Sequence, residues 1–206
     1  MPKHKKNEAK ALLKNGALGI GEDHTKPDGR NLAIQLLNQP GLVKHLFMEL
    51  TEQHVALIEQ AKALADAGRP FEEIVRAAPE GGAFACTVTQ KQVIATALIN
   101  NIPVYAADDR CMARFTDNFK KRHTTIAAKF EAVTKVRNAR ASESAGCLLL
   151  WGGDHFTGIV EDRPPHPLEN YIEGLPYIMM CESDSDDSDS DDSDSDDSGA
   201  ASSGTD

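Results

Sequence analysis

The sequence predicts an α/β domain built on a mostly parallel β-sheet with helices on both faces. Four short apolar runs carry that expectation, each delivering polar groups at its carboxyl end. They are residues 17–21 before Glu22-Asp23-His24, residues 43–50 through Glu49, residues 102–107 before Asp108-Asp109, and residues 147–151 before Gly152-Gly153-Asp154-His155. Near-continuous apolar runs of this length read as strands buried on both faces. The stretches between them have helical periodicity, and strands alternating with helices produce a parallel sheet. Groups carried just past the ends of such strands share a crevice, the usual ligand site of an open α/β sheet.

The elements follow in order. Residues 1–15 contain Lys3, Lys5, Lys6, Lys10 and Lys14 and are expected as a basic N-terminal arm, mobile or a frayed helix. After strand one, Pro27 and Gly29 mark a turn. A short helix over residues 31–38 follows, with Leu32, Ile34, Leu36 and Leu37 as its apolar positions, until Pro40 and Gly41 end it. Thr51 is placed to cap a helix in which Leu57, Ala61 and Leu64 fall at i, i+4 and i+7, stopped by Gly68 and Pro70. Residues 71–78 form another short helical stretch, and Thr87 or Thr89 opens a helix reaching Asn101. Strand three tolerates Pro103 at its start. The longest helical pattern runs from Lys120 to about Ala141, with Ile126, Phe130 and Val133 as its inward stripe. Strand four precedes a helix start at His155, and residues 175–181 form a last strand despite Pro176.

The formal net charge of −10 is not spread evenly. Eleven of the 32 acidic residues lie between Glu182 and Asp206, where there is no Lys or Arg, leaving 21 acids against 22 bases elsewhere. A near-neutral body gives no concentrated basic surface, so no nucleic-acid partner is expected. The tail repeats Ser-Asp-Ser-Asp-Asp three times from Ser183 to Asp197. With little apolar to bury and like charges that repel, residues 182–206 are expected to be disordered. Such a tail serves as a solubilising segment, an acidophilic-kinase substrate or a docking surface for a basic partner. The body, residues 16–181, is one domain. Cys86, Cys111, Cys147 and Cys181 form no Cys-x-x-Cys pair, which argues against a zinc ribbon and for reduced thiols. No run approaches the roughly 20 apolar residues of a membrane span, and the basic start lacks a secretory signal's apolar stretch. The expected location is the cytoplasm, or a foreign cytosol reached without a cleavable signal.

Glu22, His24, Glu49 and His155 are the candidate catalytic residues. The context Gly-x-Asp-His occurs twice, at Gly21 to His24 and at Gly152 to His155, so both imidazoles are expected over one rim of the sheet. Two imidazoles and two or three carboxylates suit either of two chemistries. Glu22, His24, Glu49 and His155 could ligate a divalent metal ion that activates water. Alternatively, His24 acts as general base on water while Glu22 or Glu49 fixes its tautomer. The spacing leaves both open. Arg122 is a candidate substrate-binding residue, its fork directed at a carboxylate, a phosphate or Glu49. Asp108 and Asp109 either face the same pocket or cap the following helix. His45 reads as a core or edge histidine, His54, His123 and His166 as surface residues, and Trp151 as packing between sheet and helix.

Four motifs in order carry a resemblance: Gly21-Glu22-x-His24 after a strand, Phe47-Met48-Glu49 at a strand end, Arg122 opening a helix that runs through Phe130, and Gly152-Gly153-Asp154-His155-x-x-Gly158 after Leu148 to Trp151. Together they resemble the superfamily joining erythromycin esterases, the ChaN haem-binding lipoproteins and the Tiki/TraB proteins, over residues 18–158. The resemblance implies an α/β domain with a pocket at its strand ends. In the esterase branch the counterparts of His24, Glu49 and His155 serve hydrolysis by activating water. In the Tiki branch similar positions hold a divalent metal for peptide cleavage, and the ChaN branch binds haem. Some bacterial effectors delivered into host cells carry this fold. The chain departs from the group's pattern in the short Glu22 to His24 spacing and in having His123, not an acid, after Arg122. The expectation is a hydrolase of this type acting as an effector on an unknown substrate in a host cytosol. The alternative is a non-catalytic module binding haem, a metal ion or a host protein through the same residues.

Overall fold

The computed structural model describes residues 3–81, 86–108, 119–157 and 167–180. Strands β1 (Leu18–Glu22), β2 (His45–Met48), β3 (Val104–Ala106), β4 (Cys147–Gly152) and β5 (Tyr177–Met179) form one sheet in the order β3-β2-β4-β1-β5. Every pairing within it is parallel. Residues alternate between two cores: Leu148 and Leu150 of β4 join one, Leu149 and Trp151 the other. Burial on both sides explains why the strands lack an apolar–polar alternation in sequence.

One face is covered by α1 (Lys3–Asn15), α2 (Asp28–Leu37), α3 (Val55–Asp66), α4 (Phe71–Ala77) and α5 (Gln90–Ile99), which bury Leu13, Leu32, Leu36, Ile58, Ile74 and Ile94 against it. The other carries α6 (Phe119–Thr134), through Ile126 and Phe130, and the short α7 (Asp154–Thr157), through Phe156. Register places Glu22 opposite Gly152 and Met48 opposite Leu150. The residues that end or follow these strands therefore emerge at one level.

Several boundaries differ from the sequence expectation for identifiable reasons. The basic N-terminal segment is a docked helix, since Ala9 and Leu13 of α1 are fully buried. Helix α2 begins at Asp28 and so takes in Arg30. Thr51 opens a 3₁₀ turn before α3, its amide donating to Nδ1 of His54 at 3.1 Å. That turn leaves His54 half-buried, not on the open surface. Helix α6 stops at Thr134 rather than near Ala141 because Lys135 and Asn138 adopt left-handed backbone, with φ of 63° and 58°. The backbone beyond is used elsewhere: the carbonyl of Ala141 accepts from the amide of Ala17 at 2.8 Å. Pro176 is tolerated beside β5 because its carbonyl accepts from the amide of Gly19 at 2.8 Å, a bond that needs no proline N–H.

Among the described residues, no helix is long and apolar enough to cross a membrane. Cys86 and Cys147 are free, and burial pushes the Cys147 thiol up to about 12, which keeps it protonated and unreactive. Cys111, Asp109, Gly158, His166, Cys181 and the acidic tail 182–206 lie outside the described residues.

Candidate active site at the strand ends

The strand ends bring five chain segments together. Glu22 closes β1, Glu49 follows β2, Asp108 lies just past β3, Gly152 closes β4, and His155 sits in α7. The amide of Gly153 donates to the carbonyl of Glu22 at 3.0 Å, tying the β1 and β4 ends together, and the amide of Asp108 donates to the carbonyl of Leu50 at 2.9 Å. Glu49 is the hub. Its Oε1 accepts from Arg122 Nη2 at 2.9 Å and faces His155 Nε2 at 3.6 Å. Its Oε2 accepts from the Gly152 amide at 3.1 Å and faces His24 Nε2 at 3.6 Å. His24 and His155, far apart in sequence, thus flank the two oxygens of one carboxylate.

Two buried arginines clamp the acids. Arg30 donates through Nε to Glu22 Oε2 at 3.0 Å, through Nη2 to Glu22 Oε1 at 3.2 Å, and through Nη1 to the Val88 carbonyl at 2.9 Å. Gly29 permits this approach, since a Cβ there would lie 2.7 Å from Glu22 Cβ. Arg122 donates through Nε to Asp108 Oδ1 at 2.8 Å and through Nη2 to Asp108 Oδ2 at 2.5 Å. Its fork is therefore spent on Glu49 and Asp108. Asp23, by contrast, turns outward and bends the loop, accepting from the Thr25 amide at 2.9 Å and hydroxyl at 2.7 Å. Trp151 is fully buried in the second core, as its expected packing role requires.

Burial sorts these groups. Glu22, Glu49, Asp108, Arg30, Arg122 and His155 are all buried, whereas the His24 side chain is 21% exposed. Among the described residues, the cluster sets three buried carboxylates against two buried guanidinium groups, a balance that favours a protonated imidazole. Burial alone would lower the pKa of His24. The Nδ1 bond to Glu22 Oε1 at 2.9 Å and the charges of Glu49 and Glu22 outweigh burial and raise it above its ordinary value. Burial would likewise raise Glu49, but His155, Arg122 and His24 hold it well below the usual carboxylate range.

Sequence reasoning missed two members. His123, expected at the surface, is fully buried, with Nε2 2.9 Å from His155 Nδ1. Its position one turn before Ile126 on the stripe that continues to Phe130 places it inward. Arg30, also fully buried, went unremarked, although it lies at i with Ala33 and Leu37 at i+3 and i+7 on the inward face of α2.

The donor set does not fit a divalent metal. Both oxygens of Glu22 and both of Glu49 already accept from guanidinium, imidazole or amide groups. No three His, Cys, Asp or Glu side chains among the described residues are grouped to hold an ion. Haem fits no better, since each candidate imidazole has a Glu49 oxygen 3.6 Å from its Nε2 and His155 is itself buried. What the arrangement can do is hold a water-accessible imidazole in a defined tautomer over a fixed, charged floor. Gly152 leaves that ring its place: a Cβ there would stand 2.8 Å from His24 Nε2. Gly152→Ala is accordingly expected to displace the His24 ring while leaving the thermal midpoint near wild type, because the ring is partly exposed and can swing aside. Histidine NMR shifts read alongside a thermal melt check this.

No protein-family model and no curated protein matches the chain. Among solved structures it is similar to the type III effector HopBA1, with 18% identity, 82% of this chain and 77% of that chain covered, and a TM-score of 0.46. These comparisons do not place the chain in the group its motifs resemble.

Proposed function

We propose that the chain is a hydrolase of the erythromycin esterase/ChaN/Tiki type in which His24 activates water. The observation that carries this reading is the state of His24: partly exposed, with Nδ1 held by Glu22, which Arg30 clamps in turn. The Glu22 carboxylate accepts the Nδ1 proton and leaves Nε2 as the basic nitrogen. When His24 is neutral, Nε2 removes a proton from water as the oxygen attacks a carbonyl carbon. It then returns that proton to the departing oxygen, so the ring is unchanged over a turnover. Glu49, fixed by Arg122 and the Gly152 amide, stabilises the imidazolium formed midway. The motif resemblance extends the reading to an effector acting in a host cytosol.

A cavity of about 690 Å³ adjoins this cluster at Asp108, lined also by Thr51, His54, Ala107, Ala128 and Lys129. Its size lies in the ordinary range for small-molecule sites, and the alanines in its lining suit an apolar group. It would take the non-reacting part of the substrate. Ala128→Leu is expected to raise KM for a long-chain ester and leave that for an acetate ester unchanged, as steady-state kinetics on a p-nitrophenyl ester series would show.

The test of the function is hydrolysis of that series by the full chain and by His24→Gln. Turnover that depends on His24 supports the reading. Equal rates in both proteins, or none in either, would leave the cluster as a binding or structural site.

A further inference from the structure

The two imidazoles flanking Glu49 are not equivalent, and the difference lies in what stands behind each. Behind His24 is a carboxylate, Glu22, which can only accept when ionised. Behind His155 is another imidazole, His123, with Nε2 2.9 Å from His155 Nδ1. Both rings of that pair are buried, and His123 packs edge-to-face with Tyr171 at a centroid distance of 5.4 Å. One proton lies between the two nitrogens, so one ring donates and the other accepts.

The far side of His155 decides which. If His155 donated through Nδ1, its neutral ring would turn a lone pair on Nε2 toward Glu49 Oε1, 3.6 Å away in a buried site. Lone pair against carboxylate is repulsive, and burial leaves His155 little of the solvent screening that the 21% exposed His24 side chain has at the same distance from Glu49. If His123 donates instead, His155 carries its proton on Nε2 and presents N–H to the carboxylate. Of the two arrangements with a neutral His155, only the second turns an N–H toward Glu49.

We propose that His123 is a positioning residue that donates from Nε2 to His155 Nδ1 and thereby fixes His155 as an Nε2–H donor facing the site. Resting on the hydrolase reading above, this deepens it: the site has one base, His24, and one hydrogen-bond donor, His155. A donor at that point suits the oxygen on which negative charge develops during attack on a carbonyl. The preferred substrate class is then an uncharged ester or amide, whose oxygen gains charge beside His155, rather than a group already anionic beside Glu49.

Long-range proton–nitrogen correlation spectra of the full chain with nitrogen-15 histidine, near neutral pH and without substrate, test this directly. His155→Gln supplies the assignment. The expected result is His155 protonated at Nε2 and bare at Nδ1. A His155 protonated at Nδ1, alone or at both nitrogens, overturns the proposal. His123→Gln keeps an amide donor at the same reach and is expected to keep the tautomer. His123→Glu offers only an acceptor and is expected to move the proton to Nδ1. With p-nitrophenyl acetate, His123→Glu should lose kcat by on the order of 10²-fold at unchanged KM, while His123→Gln stays close to wild type. Equal losses in both folded variants would make His123 a packing residue and overturn the role. If neither variant folds, the wild-type spectrum still decides. Absence of wild-type hydrolysis would strike the function proposed above and leave the tautomer result standing.

Discussion

His24→Gln is expected to lower ester hydrolysis by about 10²–10⁴-fold, the usual contribution of a positioned general base. On the proposed reading, in which the ring acts on water and the cavity beside Asp108 takes the rest of the substrate, the loss should fall on kcat. The same residue sets the pH dependence. Its pKa is raised, and the active form is neutral, so the rate should climb with pH through a midpoint above the ordinary histidine value of about 6.5. Stability runs the other way. A group whose folded pKa is raised contributes stabilisation fully present below its unfolded pKa, and that contribution disappears as pH rises through the folded value. Wild type should therefore gain stability over His24→Gln as pH falls toward 6, while it loses activity across the same interval. Chemical denaturation and rate profiles over one pH series check both signs.

Glu49→Gln should have the largest effect on the fold. The carboxylate bonds to Arg122 and the Gly152 amide and faces two imidazoles, so removing its charge leaves buried cations facing a neutral amide. Breaking one member of a buried charge network costs about 3–5 kcal/mol. Against a total stability of roughly 5–15 kcal/mol, that is a large fraction. Because Glu49 has a depressed pKa, its contribution is present above the unfolded value of about 4.3 and is lost as pH falls through the folded one. The gap between wild type and Glu49→Gln should accordingly be wide at pH 7 and narrow on strong acidification. Urea unfolding curves at the two pH values measure it.

The sheet was legible because its strands are apolar throughout, and a strand buried on both faces announces itself without needing alternation. Glu22, His24, Glu49 and His155 were legible for a related reason: each follows an apolar run, and a parallel sheet delivers all such ends to one rim. The arginine clamps were harder. Sequence points the Arg122 fork at Glu49 or a substrate anion, but its second partner, Asp108, comes from a third strand end that no local pattern pairs with it. Arg30 falls just before the helix expected over residues 31–38, and His123 has the polar character expected of a surface position. Both lie on inward stripes, where a polar residue is a sign that something polar is buried opposite. The early end of α6 had no such sign, since Lys135 adopts left-handed backbone that its residue type does not foretell.

One measurement bears most directly on whether the strand ends form a single electrostatic centre: a histidine-resolved NMR titration of wild type and Glu49→Gln. With Glu49 facing both rings, loss of its charge should lower the midpoint of His24 and displace the ring signals of His24 and His155 together. A His24 curve that superimposes in the two proteins would contradict the account.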